Sequence, residues 1–164
     1  MKKLVLSAVL ALSMCIVFVL TGCSGGDSKL TSIDIDGTKI TCHMDMAEVL
    51  SAFSEYEYEY SESISCAYNG LDKIYDYKDK GFTVYTYPDG DKDYVLEVVV
   101  YSEEISQEGG KVKVGMSQED LESLYGTDYS KDGDALSYEV KDEQSMYFLV
   151  VDGEVLEYAI SVAE

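Results

Sequence analysis

The fold is indicated most clearly by a predicted β-hairpin, FTVYTYPDGDKDYVLEVVVY at residues 82–101. Apolar and polar side chains alternate over 82–88 and 94–101, which is typical of strands that bury one face. Asp89-Gly90 between them favours a tight turn, because glycine adopts a positive φ without steric cost. Similar runs occur at about 74–79, 136–141, 145–151 and 154–162, with a second turn dipeptide at Asp152-Gly153.

A short helix is predicted ahead of each group of three strands. Asp45-x-x-Glu48 and Ser117-x-x-Asp120 are typical of capping boxes, whose side chains satisfy the free amides at a helix start. Gly126 suits the position after the second helix. Apolar residues follow both caps at helical spacing: Met46, Val49, Leu50 and Phe53, then Leu121, Leu124 and Tyr125.

The two groups of elements are predicted to be tandem repeats. At a shift of 72 residues, Ile33, Gly37, Lys39, Ile40 and Met44 align with Ile105, Gly109, Lys111, Val112 and Met116. Shifts of 63 and 60 align the later strands, so the matches keep their order along the chain. We therefore predict an α+β fold. Two helix-plus-three-strand repeats, at 32–103 and 104–164, would form one antiparallel sheet with the helices on one face.

The start of the second predicted helix carries a family resemblance. Lys111 to Ser117, followed by Leu121 to Gly126, resembles the helix start of repeats in the β-lactamase-inhibitor-protein-like fold and in the small outer-membrane lipoproteins of the SmpA/OmlA group. Lys39 to Phe53 is a fainter match, with His43 where the pattern has glycine. The resemblance implies protein–protein binding through an exposed sheet or its loops, and it implies no particular partner.

Residues 1–22 are predicted to be an export signal. Lys2 and Lys3 precede an uncharged run from Leu4 to Leu20, which is short for a membrane-spanning helix. The tetrapeptide Leu20-Thr21-Gly22-Cys23 resembles the lipobox of bacterial lipoproteins, which implies diacylglycerol on Cys23 and cleavage before it. Two acyl chains anchor a protein stably. We expect a lipidated tether at 23–31 and a location on the extracytoplasmic face of the cell membrane.

Composition excludes several classes of partner. The 164 residues include 12 lysines, no arginine and 32 acidic residues, for a formal charge of −20. That charge argues against nucleic acid and against anionic lipid surfaces, both of which attract clustered cations. Fifteen tyrosines argue against a disordered chain. We expect a monomer whose partner is an unidentified envelope or secreted protein.

The cysteines allow three interpretations. Cys15 leaves with the export signal and Cys23 carries lipid, which leaves Cys42 and Cys66 as an even pair in an oxidising compartment. A disulfide between them is the first prediction and two free buried thiols are the alternative. A metal site of Cys42, His43 and Cys66 is disfavoured, because it offers too few ligands at zinc spacing.

Alternation divides the strand residues into a predicted core and a predicted binding face. Tyrosine supplies a large, rigid contact area at small entropic cost, although tyrosines also stabilise strands through cross-strand pairs. The predicted core comprises Phe82, Val84, Leu96, Val98, Val100, Leu136, Tyr138, Phe148, Leu156 and Ile160. The predicted binding face comprises Tyr75, Tyr77, Tyr85, Tyr87, Tyr101 and Tyr147, with Glu97, Leu149 and Glu157.

Catalysis and metal binding have little support. Asp89 to Asp93 resembles the start of a calcium loop, but Tyr94 and Val100 stand where that loop needs glycine and glutamate. His43 is the chain's one histidine, so few bases are available to a nucleophile. Residues 55–60 alternate Glu and Tyr, and we expect an edge strand or loop kept soluble by its acids. We predict a protein-binding lipoprotein without catalysis or cofactor, the alternative being a small-ligand or cation-binding lipoprotein.

Overall fold

The computed structural model describes residues 29–140 and 143–163. The predicted export signal at 1–22, the lipid site at Cys23 and most of the predicted tether at 23–31 lie outside these residues. Within the described part, no helix has the length and apolar character needed to cross a membrane.

The chain runs twice through one order of elements: a two-stranded hairpin, a short helix and four strands. The first series comprises β1 (Ile33–Ile35), β2 (Thr38–Ile40), α1 (Met46–Ala52), β3 (Glu59–Ile64), β4 (Leu71–Tyr77), β5 (Phe82–Asp89) and β6 (Lys92–Val100). The second comprises β7 (Ser106–Gln107), β8 (Val112–Lys113), α2 (Gln118–Tyr125), β9 (Ser130–Asp132), β10 (Ala135–Glu139), β11 (Gln144–Val151) and β12 (Glu154–Val162).

Eight strands form one antiparallel sheet in the order β3-β4-β5-β6-β12-β11-β10-β9. The two series meet where β6 pairs with β12, with Val98 opposite Ile160. Tight turns connect neighbouring strands: Gly90 has a φ of 63°, and Asp152 and Gly153 have φ values of 52° and 83°. The last strand of each series therefore lies at the centre of the sheet, and β3 and β9 form its edges.

Both helices are short and begin at the predicted caps. The Asp45 carboxylate accepts a hydrogen bond from the Ala47 amide at 3.0 Å, and the Ser117 hydroxyl accepts one from the Asp120 amide at 3.1 Å. These contacts satisfy amides that the first turn leaves free. The helices have only seven and eight residues, so packing of Met46, Val49 and Leu121 holds them on the sheet.

The predicted fold class is wrong. Half of the described residues lie in strands and 11% in helices, so the protein is mostly β rather than α+β. The predicted helix-plus-three-strand repeats are not present, because β3 and β9 add a fourth strand to each group and two small hairpins precede the helices. The capping boxes and apolar spacing predicted helices at the right places, but each helix ends after about two turns.

A β-bulge changes the face of two predicted core leucines. In β6 the partner of Thr86 is Val95 and that of Tyr85 is Glu97, so Leu96 is the extra residue. In β12 the partners of Val150 and Leu149 are Val155 and Glu157, so Leu156 is the extra residue. A bulge shifts the alternation by one residue. Val95 and Val155 are therefore fully buried, whereas Leu96 is half-buried and Leu156 is 45% exposed.

The remaining predicted core residues are buried as expected. They form one cluster with residues from both hairpins and both helices. Aromatic pairs stabilise its two ends: Tyr77 stacks on Phe82 with ring centroids 4.5 Å apart, and Tyr138 meets Phe148 edge-on at 5.9 Å. The cluster lies on one side of the sheet, and that determines which side stays open.

Candidate functional site

The candidate site is the side of the sheet that the helices and hairpins leave uncovered. Ile33, Val49 and Leu121 pack in the same buried cluster as Val98 and Ile160. Within 29–140 and 143–163, every buried apolar side chain of a helix or hairpin belongs to this cluster. The opposite side, which we call the open face, is defined by Asp76, Thr83, Tyr85, Glu97, Val99, Tyr101, Tyr147, Leu149, Glu157 and Ala159.

Strand register brings these side chains together across five neighbouring strands, from β4 to β11. Val99 lies between Thr83 of β5 and Ala159 of β12, and Ala159 lies opposite Tyr147 of β11. Directly opposed side chains in antiparallel strands are about 4.5–5.5 Å apart at Cβ. Because threonine, valine and alanine are small, the tyrosines on either side of this row stand above it.

Tyr101 is held on the open face by Asp76. The Tyr101 hydroxyl donates to Asp76 Oδ1 at 2.8 Å, and the Thr83 hydroxyl donates to the same oxygen at 2.9 Å. Burial, and then the hydrogen bond to Asp76, raises the pKa of Tyr101 to about 12. Tyr101 is therefore a neutral, oriented ring at physiological pH, and it is 38% exposed.

Glu97 places a carboxylate among the aromatic rings. It follows the bulge in β6 and is the cross-strand partner of Tyr85. Burial, and then the charge of Glu157, raises the pKa of Glu97 above its ordinary value. Burial, and then Glu97, raises the pKa of Tyr85 as well. The charged residues that define this face are all acidic, so the face would favour a cation brought by a ligand.

The structure divides the predicted binding face between the two sides of the sheet. Tyr85, Tyr101 and Tyr147 lie on the open face. The predicted position of Tyr75 and Tyr77 is wrong: they pair with Val84 and Phe82, so they lie on the covered side and are buried. Their face follows from the register with β5, which the local sequence does not reveal.

Tyr87 lies at one end of the open face, where it contacts the loop before α1. Its hydroxyl is 2.7 Å from His43 Nδ1, and its ring stacks on Tyr68 with centroids 4.7 Å apart. His43 has a φ of 64°, a conformation that L-residues rarely adopt. Tyr87 is thus occupied with packing and with holding His43, which makes it a weaker candidate for partner contact than Tyr85.

The predicted disulfide is absent. Cys42 is buried, with its thiol 3.6 Å from the Leu96 carbonyl oxygen, and Cys66 is exposed in the loop between β3 and β4. Burial, and then Glu97, raises the pKa of Cys42 to about 12, so its thiol stays protonated. The alternative prediction was two free buried thiols. Both thiols are free, but only that of Cys42 is buried.

Potential ligand sites among the described residues are cavities rather than metal clusters. Within the described ranges, no group of three or more His, Cys, Asp or Glu side chains could hold a metal ion. A groove of about 680 Å³ is lined by Lys29, Thr31, Tyr129, Ser137 and Glu139, among others. A second cavity of about 630 Å³ lies at the start of α2, beside Lys111 and Lys113.

Sequence patterns did not identify Asp76, and they placed Leu96 and Leu156 wrongly in the core. Nothing local marks Asp76, because its partners Thr83 and Tyr101 lie on other strands. The bulges carry a usable signal: the tripeptide Val-Leu-Glu occurs at 95–97 and again at 155–157. The same irregularity in both central strands explains why both glutamates reach the open face.

Comparisons with known proteins give no functional information. No protein-family model matches the chain, and no curated protein matches it. A solved structure titled "Crystal structure of the uncharacterized protein yfeY from Escherichia coli" is similar at 14% sequence identity and a TM-score of 0.49. The match covers 74% of this chain and 92% of that chain. At this level of similarity, nothing about fold or function follows from it.

Proposed function

We propose that this protein is a lipid-anchored, extracytoplasmic protein-binding module of a bacterial envelope, without catalysis, and that it binds its partner through the open face. The observation that carries the proposal is an uncovered sheet surface with Tyr85, Tyr101 and Tyr147 beside Val99 and Leu149. Rigid aromatic rings next to aliphatic side chains are typical of the centre of protein interfaces.

The acidic residues of the open face suggest the chemistry of the partner. Asp76, Glu97 and Glu157 are carboxylates, and burial opposes the ionisation of Glu97. A lysine or arginine from a partner would stabilise the charged carboxylates and could also lie over a tyrosine ring. We therefore propose a partner surface with basic and apolar residues.

Site-specific photo-crosslinking in cells tests this proposal. A photoreactive amino acid at Tyr147 would lie on the open face, and the same residue at Ala52, an exposed position on α1, is the matched control. We expect a discrete crosslinked protein from position 147 and none from position 52. Tyr85→Ser should reduce the yield at 147 several-fold. Identical crosslinks from both positions would contradict the proposal.

The anchor is tested separately. Cys23→Ser should abolish incorporation of a fatty-acid label and move the protein from the membrane to the soluble fraction. Cys15→Ser is the matched control, because Cys15 lies in the apolar run before the predicted cleavage site. Equal labelling of both variants would exclude lipidation at Cys23.

A small-ligand function is the second candidate, favoured by the groove beside Lys29 and Tyr129. Its volume falls within the range of ordinary ligand sites. Tyr129→Ala should reduce ligand-induced thermal stabilisation in a metabolite screen, and millimolar calcium tests the cation version in the same assay. A screen without any stabilising compound would count against this candidate.

A further inference from the structure

Two strands of the sheet, β3 and β9, are exposed at every residue, and β3 is the longer of the two. All six residues from Glu59 to Ile64 are exposed, and Ile64 has 81% of its surface accessible. The opposite edge, β9, has only three residues, Ser130–Asp132. Native sheets usually shorten or cover their edges, since a free edge pairs readily with another strand. A six-residue edge with an exposed isoleucine therefore needs an explanation.

The backbone of β3 offers hydrogen bonds on its outer side. The Ser65 amide donates to the Gly70 carbonyl oxygen at 3.0 Å, which sets the pattern of bonding to β4. Hydrogen-bonding direction alternates along an antiparallel strand. The amides and carbonyls of Tyr60, Glu62 and Ile64 therefore point away from the sheet. Among the described residues, none of these groups has a backbone partner.

The side chains beside this edge are aromatic and acidic. The rings of Tyr58 and Tyr60 contact the Tyr75 ring, with centroids 5.4 and 5.3 Å apart, and both are more than 40% exposed. Tyr60 donates to the Glu62 carboxylate. Across the ladder from Glu62, Lys73 is already paired with Asp93 at 2.6 Å.

Charge determines which occupant suits the edge. Residues 55–62 contain four glutamates and no basic residue, and only Glu59 has a lysine partner among the described residues, namely Lys78. A second copy of this chain would bring the same glutamates together, which costs energy. In an added strand with alternating basic and apolar residues, the apolar side chains would share a face with Tyr60 and Ile64, and the basic side chains would lie on the opposite face, beside Glu59.

We propose that β3 is a docking edge for an extended, basic segment of another protein, which adds to the sheet as a ninth strand. Main-chain hydrogen bonds to Tyr60, Glu62 and Ile64 would supply affinity, and the glutamates would select the basic sequence. This site is separate from the open face, and it depends on the strand edge rather than on Tyr85.

A designed peptide tests the proposal on the full chain in neutral detergent. The probe is a blocked ten-residue peptide of alternating Lys and Val, compared with its Glu-Val counterpart and with a Lys-Val peptide methylated on every backbone amide, which has no donor on either edge. Titration calorimetry measures affinity, and amide exchange measured by NMR reports on residues 60, 62 and 64. We expect saturable binding of the first peptide alone, with slower exchange at all three amides.

Matched variants separate strand addition from attraction to an acidic surface. Glu62→Pro removes an outward amide without breaking the ladder to β4, as proline is tolerated at sheet edges. This variant should bind the Lys-Val peptide at least tenfold more weakly. Glu62→Gln keeps the amide and should weaken peptide binding two- to threefold. Tyr85→Ser should not change the affinity. The methylated peptide repeats the test without altering the protein.

Three results would overturn the proposal. One is equal binding of the methylated and unmethylated peptides, which would indicate attraction to charge alone. Another is binding with unchanged exchange at residues 60, 62 and 64. The third is slow exchange of these amides before any peptide is added, especially if it depends on protein concentration, since the edge would then be filled by the chain itself or by a second copy.

Discussion

The two series of elements differ at the residue that precedes each helix by three positions. His43 and Gly115 both have a positive φ, 64° and 83°. The amide of each donates at 2.8 Å to a carbonyl oxygen in the last strand of its series, that of Val95 and that of Val155 respectively. Glycine adopts this conformation freely, whereas histidine meets a steric cost that its contact with Tyr87 partly offsets. The positive φ at this position is thus accommodated by glycine itself in the second series, and with the help of a tertiary contact to Tyr87 in the first.

At the bulges, by contrast, the two series have the same structure. Leu96 and Leu156 are the extra residues of β6 and β12, and each follows a fully buried valine. The valine and the leucine are adjacent and chemically similar, yet only one of them belongs to the core. The comparison of the two series can therefore be tested at positions where they agree and at positions where they differ.

The largest expected effect is at the buried valines. Val95→Asp and Val155→Asp should each lower the free energy of unfolding by about 3–5 kcal/mol, because a buried charge without a partner is costly. Leu156→Asp should cost less than about 1 kcal/mol, since the side chain is 45% exposed. Urea unfolding followed by circular dichroism measures all three. Equal losses at Val155 and Leu156 would mean that the bulge in β12 is misplaced.

The next effect distinguishes the two positive-φ residues. Gly115→Ala should lower stability by about 1–2 kcal/mol through backbone strain. Crowding is not the cause, because the nearest atom to the new Cβ would be Glu154 Oε1 at 3.6 Å. His43→Gly should change stability by less than about 1 kcal/mol, since relief of strain opposes the lost Tyr87 contact and the more flexible unfolded chain. Thermal unfolding of both variants checks the order, and a larger loss in His43→Gly would reverse this interpretation.

A smaller effect isolates the histidine contact. Tyr87→Phe removes the hydroxyl that lies 2.7 Å from His43 Nδ1, and we expect a loss of about 0.5–1 kcal/mol. Tyr147→Phe is the matched control, because the Tyr147 hydroxyl has no hydrogen-bond partner in the described part of the chain, and it should be neutral. If the two variants are equally stable, the contact does not offset the strain at His43.

The smallest effect concerns pH. Because burial and Glu157 raise the pKa of Glu97, the folded protein binds this proton more tightly than the unfolded chain does. The contribution of Glu97 to the free energy of unfolding therefore falls as the pH rises from about 4.5, the ordinary pKa, through the raised pKa of the folded protein. Glu97→Gln should flatten that part of the stability curve, and Glu157→Gln should lower the pKa of Glu97 in an NMR titration of its carboxyl carbon. An unchanged pKa would show that Glu157 does not act on it.

Local sequence signals predicted the positions of many elements, but not the proportion of strand to helix. The six predicted strands overlap β4, β5, β6, β10, β11 and β12, because alternation and Asp-Gly turns are local properties. An edge strand or loop was expected at 55–60, which overlaps β3 at Glu59 and Tyr60, but neither β3 nor β9 was placed in the predicted three-strand groups, since both are exposed throughout and have no buried face. These strands and the two hairpins turn the predicted α+β protein into a mostly β one.

The candidate site was predicted in part, and its errors have physical causes. Tyr85, Tyr101 and Tyr147 follow the alternation of strands whose buried face is clear from the sequence. Tyr75 and Tyr77 do not, since the register of β4 with β5 determines their side. The spacing of Cys42 and Cys66 does not show that the Cys42 thiol is buried beside the Leu96 carbonyl oxygen while Cys66 lies in an exposed loop.

The central place of β12 has a consequence for how the chain folds. Residues 154–162 are the last strand in sequence, yet they lie between β6 and β11. Until they are synthesised, the sheet consists of two separate parts, each with an unpaired inner strand. Closing contacts between distant segments is slow, because the entropy of the intervening loop must be lost first. The intact sheet can thus form only after residues 154–162 have been synthesised, and a chain that ends before residue 154 would carry two additional strands with an unpaired edge.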